Sequence, residues 1–165
     1  MENKKSYIIS EFAKIQCTIS DRQAEQFLRY FELLTEWNTV MNLTAITEFD
    51  EVVEKHFVDS ALLSEYIREN HPKSLIDIGT GAGFPGVPLK ILFPEMKVTL
   101  LDSLNKRIRF LNTVIQELGL ENIEANGLDG SFISSANSAG NSTLSPEIEE
   151  TISLNCSFKF AISLS

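Results

Sequence analysis

At 165 residues with 43% apolar side chains, the chain is long enough for one domain with a real core. A formal net charge of -9 repels nucleic acid at long range and excludes a general coating protein, although salt screens distant charges beyond about 8 Å and leaves room for a local basic patch. Cys17 and Cys156 lie too far apart in sequence to suggest a disulfide framework. With only His56 and His71 beside them there are too few ligands for a structural metal, and no stretch approaches the roughly 18 apolar residues of a membrane span. The expectation is a cytoplasmic protein without metal or membrane.

Ser20 followed by Gln23 reads as a capping box, and Ala24, Phe27, Leu28, Phe31, Leu34 and Trp37 then recur at helical spacing, giving an amphipathic helix of about five turns with a core-facing stripe. Asn42-Leu43-Thr44 breaks the pattern. Thr47 is expected to cap a second helix carrying Val52, Val53, Phe57, Val58, Leu62 and Leu63, which Pro72 stops. Residues 1–71 thus read as an N-terminal helical segment leading into something different. From Ser74 the texture changes to an apolar run, Leu75-Ile76-Asp77-Ile78, then a helix candidate, then Val98-Thr99-Leu100-Leu101-Asp102. A further helix pattern, Ile108, Leu111, Val114, Ile115 and Leu118, stops at Gly119, and a short strand follows near Ile123. Strand, helix, strand, helix, strand is the order of a parallel α/β sheet, here over residues 72–126. Residues 127–146 read as a polar linker. In 147–165 the alternation of Ile152, Leu154, Cys156, Phe158, Phe160, Ile162 and Leu164 predicts one bent edge strand or two.

The first strand runs into Asp77-Ile78-Gly79-Thr80-Gly81-Ala82-Gly83-Phe84, where glycines let backbone N–H groups approach a ligand with no Cβ in the way. Gly81 to Gly86 matches G-x-G-x-x-G literally, so a dinucleotide site competes. Asp77, two residues before Gly79, suits the ammonium group of an amino-acid cofactor better than a pyrophosphate, and Asp102 at the end of the second run offers acceptors for ribose hydroxyls of either cofactor. The alternative for Asp102 is a helix cap.

With Asn42-Leu43-Thr44-Ala45-Ile46-Thr47, His56 with Asp59-Ser60, Asp77 through Pro88, and Leu101-Asp102-Ser103 with Lys106-Arg107 and Phe110-Leu111 in that order, the chain resembles the glucose-inhibited division protein B family, the small-subunit ribosomal RNA methyltransferases G. The resemblance runs from about Phe27 through Ile123. It implies a class I, Rossmann-like methyltransferase that moves a methyl group from S-adenosylmethionine to guanine N7 of 16S ribosomal RNA, acting on the RNA or the small ribosomal subunit, as a monomer. It puts Gly79 and Phe84 on cofactor positions, Asp102 at the ribose, and the stretch with His56 and Asp59 near the cleft; Asp77, Gly81, Gly83 and Ser103 are further candidates for the cofactor, and Asn42, Thr44, Lys106 and Arg107 for the RNA. For His56 with Asp59, and Lys55 with Asp59, an ordinary salt-bridged helix surface competes; for Lys106, Arg107 and Arg109, a solvated helix start does. A nucleotide-binding module without catalysis and a small-molecule methyltransferase are the other functional readings.

The chain departs from the family after Ile123. A Gly-Arg-Ala-Glu type segment is expected there, but Asn126-Gly127-Leu128-Asp129-Gly130 stands in its place, with Asp129 able to substitute for the adenine-side acid after a one-residue shift. Phe158 to Ser165 looks like a degraded fourth strand in which Leu164 replaces an arginine. The C-terminal part of the sheet is therefore expected to be incomplete, and this chain to have little or no methyltransferase activity even if it binds the cofactor.

Overall fold

The computed structural model describes residues 2–128 and the backbone of 159–163. The chain begins with a helix, α1 (Glu2–Lys14), that the sequence pattern did not announce. Its apolar contribution rests mainly on Ile8 and Phe12, one turn apart and both fully buried, too sparse a stripe to stand out among lysines and glutamates. At Ser20 the expected capping box closes. The Ser20 hydroxyl accepts from the Gln23 N–H at 3.2 Å, and the Gln23 side chain accepts from the Ser20 N–H at 2.8 Å, starting α2 (Asp21–Met41). Asn42 ends it in the left-handed region, φ 48°, with its N–H on the Asn38 carbonyl.

The second helix differs from its reading. Thr47 caps nothing: α3 (Phe49–Val52) follows Glu48, with no side-chain cap. The path then loosens into a π-helical segment, Val53–Val58, before α4 (Asp59–Ala61) and, after a turn, α5 (Ser64–Asn70). A π turn takes in an extra residue and rotates everything after it. Hence Phe57, Ala61 and Leu63 are buried, whereas Leu62, expected on the apolar stripe, is 58% exposed. His71 closes α5 in the left-handed region just before Pro72.

The α/β part follows its expected order: β1 (Ser74–Ile78), α6 (Gly86–Leu92), β2 (Lys97–Asp102), α7 (Asn105–Glu117) and β3 (Ile123–Gly127). β1 pairs in parallel with β2, Asp77 opposite Leu100, and β2 in parallel with β3. A fourth strand, β4 (Lys159–Ser163), completes the order β3-β2-β1-β4 and runs antiparallel to β1, Ile78 opposite Lys159. A strand at the expected edge is present, but it lacks the parallel direction of the strands before it. The remainder of the 147–165 pattern, with the 127–146 linker beyond Leu128, lies outside the described residues. No described helix is long and apolar enough to cross a membrane, and no cluster of three metal-ligating side chains occurs among the described residues.

α2 welds the helices to the sheet. Phe27 packs between Phe12 and Phe57 at ring-centroid distances of 4.8 and 5.1 Å, all three fully buried. Such a side chain contributes about 1.5 to 3 kcal/mol through its removal from water. The α2 face also lies against α6 and α7, so the glycine loop between β1 and α6 sits beneath it.

Candidate functional site

Beyond β1 the backbone takes positive φ at Gly79 (74°), Gly81 (61°) and Gly83 (103°). The loop is tied to β2, since the Gly79 and Thr80 N–H groups bond the Leu101 carbonyl at 2.8 and 3.1 Å. It then folds on itself, with Gly83 and Phe84 N–H groups on the Thr80 carbonyl. The glycines divide into two kinds. A Cβ at Gly79 would meet nothing within 4 Å, and one at Gly81 only the Gly79 carbonyl at 4.0 Å, so both offer bare backbone to open space. At Gly83 a Cβ would lie 2.7 Å from the Tyr30 hydroxyl, and at Gly86 2.3 Å from Leu100 Cδ2. Those two glycines exist for packing.

Asp77 is buried, and its Oδ2 takes both of its hydrogen bonds, from Thr80 Oγ1 at 2.7 Å and the Gly86 N–H at 2.9 Å. Burial pushes its carboxyl from 3.8 up to about 7; the two bonds oppose this and the Asp102 charge adds to it. Because the folded value lies above the unfolded one, this group's contribution to stability is fully present below pH 3.8 and is lost as pH rises to about 7, a change on the order of 4 kcal/mol. Asp77→Asn, which keeps an acceptor oxygen, is expected to match the parent near pH 4 and exceed its urea midpoint at pH 8. Equal pH dependence in the two proteins would show that Asp77 is already ionised in the folded state.

Asp102, buried at the end of β2, has its oxygens engaged by the protein. Oδ2 accepts from the Gly81 N–H at 3.0 Å and from Arg107 Nη1 at 3.2 Å, and Oδ1 accepts from the Leu104 N–H at 2.9 Å. Oδ1 thus closes a turn on the N–H of Leu104, the N-cap residue of α7, whereas the helix itself has no side-chain cap. A carboxylate has about four lone-pair sites, so three bonds leave it able to accept one more. Arg107, read as a phosphate contact, has its guanidinium on this carboxylate.

The other residues singled out from the sequence fall around this centre. Phe84 is buried with its ring stacked on His56 at 4.5 Å and 11°, so that ring is part of the packing. His56 Nε2 lies 3.0 Å from Thr44 Oγ1, which also accepts from the Ile46 N–H at 3.1 Å. Burial lowers the His56 imidazole below its ordinary value, against the pull of Asp59. Lys106 Nζ donates to the Met41 carbonyl at 3.3 Å, next to Asn42. His56, with Thr44 on it, thus lies against the loop, and Lys106 meets the end of α2 next to Asn42. Asp59 is exposed, and Lys55, expected to pair with it, bonds Glu51 instead. Ser103 and Arg109 are exposed, and Asp129 lies outside the described residues.

Two residues escaped the sequence reading. Tyr30, omitted from the apolar stripe of α2, is fully buried with its hydroxyl donating to the Ala82 carbonyl. Thr80 locks Asp77. The available signal for Tyr30 was its place one turn after Phe27, which puts a polar tip inside a core where it needs a partner.

A profile of the GidB family, described as rRNA small subunit methyltransferase G, matches residues 23–126. The chain is 55% identical over 116 residues to the ribosomal RNA small subunit methyltransferase G of Lactococcus lactis subsp. lactis (strain IL1403), covering 70% of this chain and 49% of that protein. It is 58% identical over 107 residues to the protein of the same description from Alkaliphilus metalliredigens (strain QYMF), covering 64% of this chain and 44% of that one. To its counterpart in Streptococcus pyogenes serotype M12 (strain MGAS2096) the figure is 59% over 107 residues, covering 64% and 45%. The chain spans about half the length of the curated relatives it matches.

Proposed function

Since the chain belongs to the rRNA small subunit methyltransferase G family, we propose that its glycine loop holds S-adenosylmethionine and serves methylation of guanine N7 in 16S ribosomal RNA. One observation carries the cofactor reading. Gly79 and Gly81 turn bare, positive-φ backbone toward open space at the C-terminal ends of β1 and β2. Ligands of open α/β sheets bind at those ends.

When bound, the cofactor supplies a methyl group on a sulfonium, which an unprotonated N7 lone pair attacks directly, so the protein's task is placement. Asp77 is the group for the cofactor's ammonium, Asp102 for a ribose hydroxyl, and Gly79 and Gly81 for close backbone approach. An ammonium beside Asp77 favours the charged carboxylate, so affinity is expected to rise as pH increases through about 7, with protons released on binding below it. Calorimetry with S-adenosylhomocysteine at pH 6 and 8, in buffers of different ionisation enthalpy, checks this; pH-independent affinity would remove Asp77 from the site. His56 and Thr44, against the loop residue Phe84, with Asn42 and Lys106 at the end of α2, are the candidates for bordering the RNA.

Gly81→Val tests the loop. A side chain there enters the space assigned to the cofactor, and the strained backbone adds about 1 to 2 kcal/mol. S-adenosylhomocysteine binding is expected to disappear while helical circular dichroism is retained, and NADH is expected not to bind the parent chain. Retained binding in the variant, or NADH binding in the parent, would overturn the cofactor assignment. Methyl transfer to small ribosomal subunits lacking the modification tests the RNA half.

A further inference from the structure

We propose that Tyr30 is a positioning residue for this reaction: from α2, its hydroxyl holds the glycine loop in the shape that receives the cofactor. The proposal rests on the cofactor reading above and adds to it a contribution from the helical segment. The Tyr30 hydroxyl donates to the carbonyl of Ala82, the residue between Gly81, which faces open space, and Gly83. The same hydroxyl explains Gly83, because a Cβ there would stand 2.7 Å from the phenol oxygen. The ring is buried between Phe57 and Phe84 at centroid distances of 5.4 and 5.5 Å, and this packing directs the hydroxyl at the carbonyl.

α2 itself is fixed to the α/β part at both ends. Near its start Gln23 Nε2 donates to the Ile91 carbonyl and Gln26 Nε2 to the Leu118 carbonyl, each at 2.9 Å, and at its end the Met41 carbonyl accepts from Lys106. A hydroxyl carried by a helix so anchored is a fixed point against which the loop is set. The first half of the loop is bonded to Leu101 of β2, and its turn closes on the Thr80 carbonyl. The Tyr30 bond adds a constraint on the Ala82 peptide from outside both. Loop order established before binding is order the cofactor does not have to impose, and that difference appears as affinity.

The test uses the full chain with Tyr30→Phe, which keeps the ring packing, and with 4-aminophenylalanine at position 30, whose amine restores a donor. Tyr30→Phe is expected to weaken S-adenosylhomocysteine binding about five- to tenfold and to speed amide hydrogen exchange at residues 81–84, with exchange in β2 and α7 unchanged. The 4-aminophenylalanine protein is expected to return within about twofold of the parent in affinity, the recovery that restoring a single hydrogen bond allows. Unchanged affinity in Tyr30→Phe, unchanged loop exchange, or no recovery with the amine would each overturn the proposal. If the parent chain fails to bind S-adenosylhomocysteine, the cofactor reading falls, and the exchange measurement still decides whether the hydroxyl holds the loop.

Discussion

Replacing Asp102 with alanine is expected to cost about 3 kcal/mol of stability and to abolish S-adenosylhomocysteine binding. The carboxylate links three parts of the chain: the loop at Gly81, the turn at Leu104 and the α7 side chain Arg107. Hydrogen bonds to charged groups contribute about 1.5 to 3 kcal/mol each, offset by the relief of no longer burying a charge. For a chain of this size the loss corresponds to a fall of roughly 6 to 12 °C in melting temperature. Asp102→Asn separates the two roles. Its remaining carbonyl can keep the Leu104 bond, but its amide nitrogen cannot accept from Gly81. Calorimetric binding together with thermal unfolding is therefore expected to show Asp102→Asn close to alanine in lost affinity and nearer the parent in stability. An alanine variant that binds as the parent does would remove Asp102 from the ribose site.

Gly83→Val is expected to unfold the protein or leave it too unstable to bind anything, in contrast to Gly81→Val two positions earlier. At Gly83 a Cβ would stand 2.7 Å from the Tyr30 hydroxyl, 2.8 Å from Val87 and 3.0 Å from Leu111, all three buried. The backbone there, at φ 103°, is one that a β-branched residue resists. Overpacking of about 1 to 3 kcal/mol and strain of similar size act together, a large part of a domain's stability. The midpoint of urea denaturation is the measurement. A Gly83→Val chain with a midpoint close to that of Gly81→Val would mean that α2 does not press on the loop.

Much of the architecture was legible because its signals are local. Ser20 with Gln23 marks the start of α2, Gly119 the stop after α7, and Leu75 to Ile78 and Val98 to Asp102 read as strands because short apolar runs bounded by turn residues have few other uses. The break at Val53–Val58 was not legible, since a π turn depends on packing and leaves no pattern in the apolar spacing, and Leu62 went to the wrong face as a result. The direction of β4 was equally hidden, because alternation reads the same along a strand from either end. At the candidate site, residue type pointed to the glycine loop, Asp77 and Asp102. What residue type does not carry is who already holds each group: Arg107 on Asp102, Thr80 on Asp77 and His56 on Phe84 are tertiary facts. The division of the glycines into positions that face open space and positions closed by packing is another, invisible in a motif that writes both with one letter.

Ser74 and Ser163, partners in the β1–β4 ladder, stand about ninety positions apart, whereas Val98 and Ile123 of β2 and β3 are separated by about 25, and contacts between distant segments form late in folding. The parallel core of β3, β2 and β1 is thus expected to assemble first, with the β1 edge open during the interval before β4 arrives. An open edge is a template for any passing strand, including the same edge of another copy. Refolding yield is accordingly expected to fall with protein concentration more steeply than the stability of the finished fold would suggest, so the vulnerable species is the kinetic intermediate with an uncovered β1.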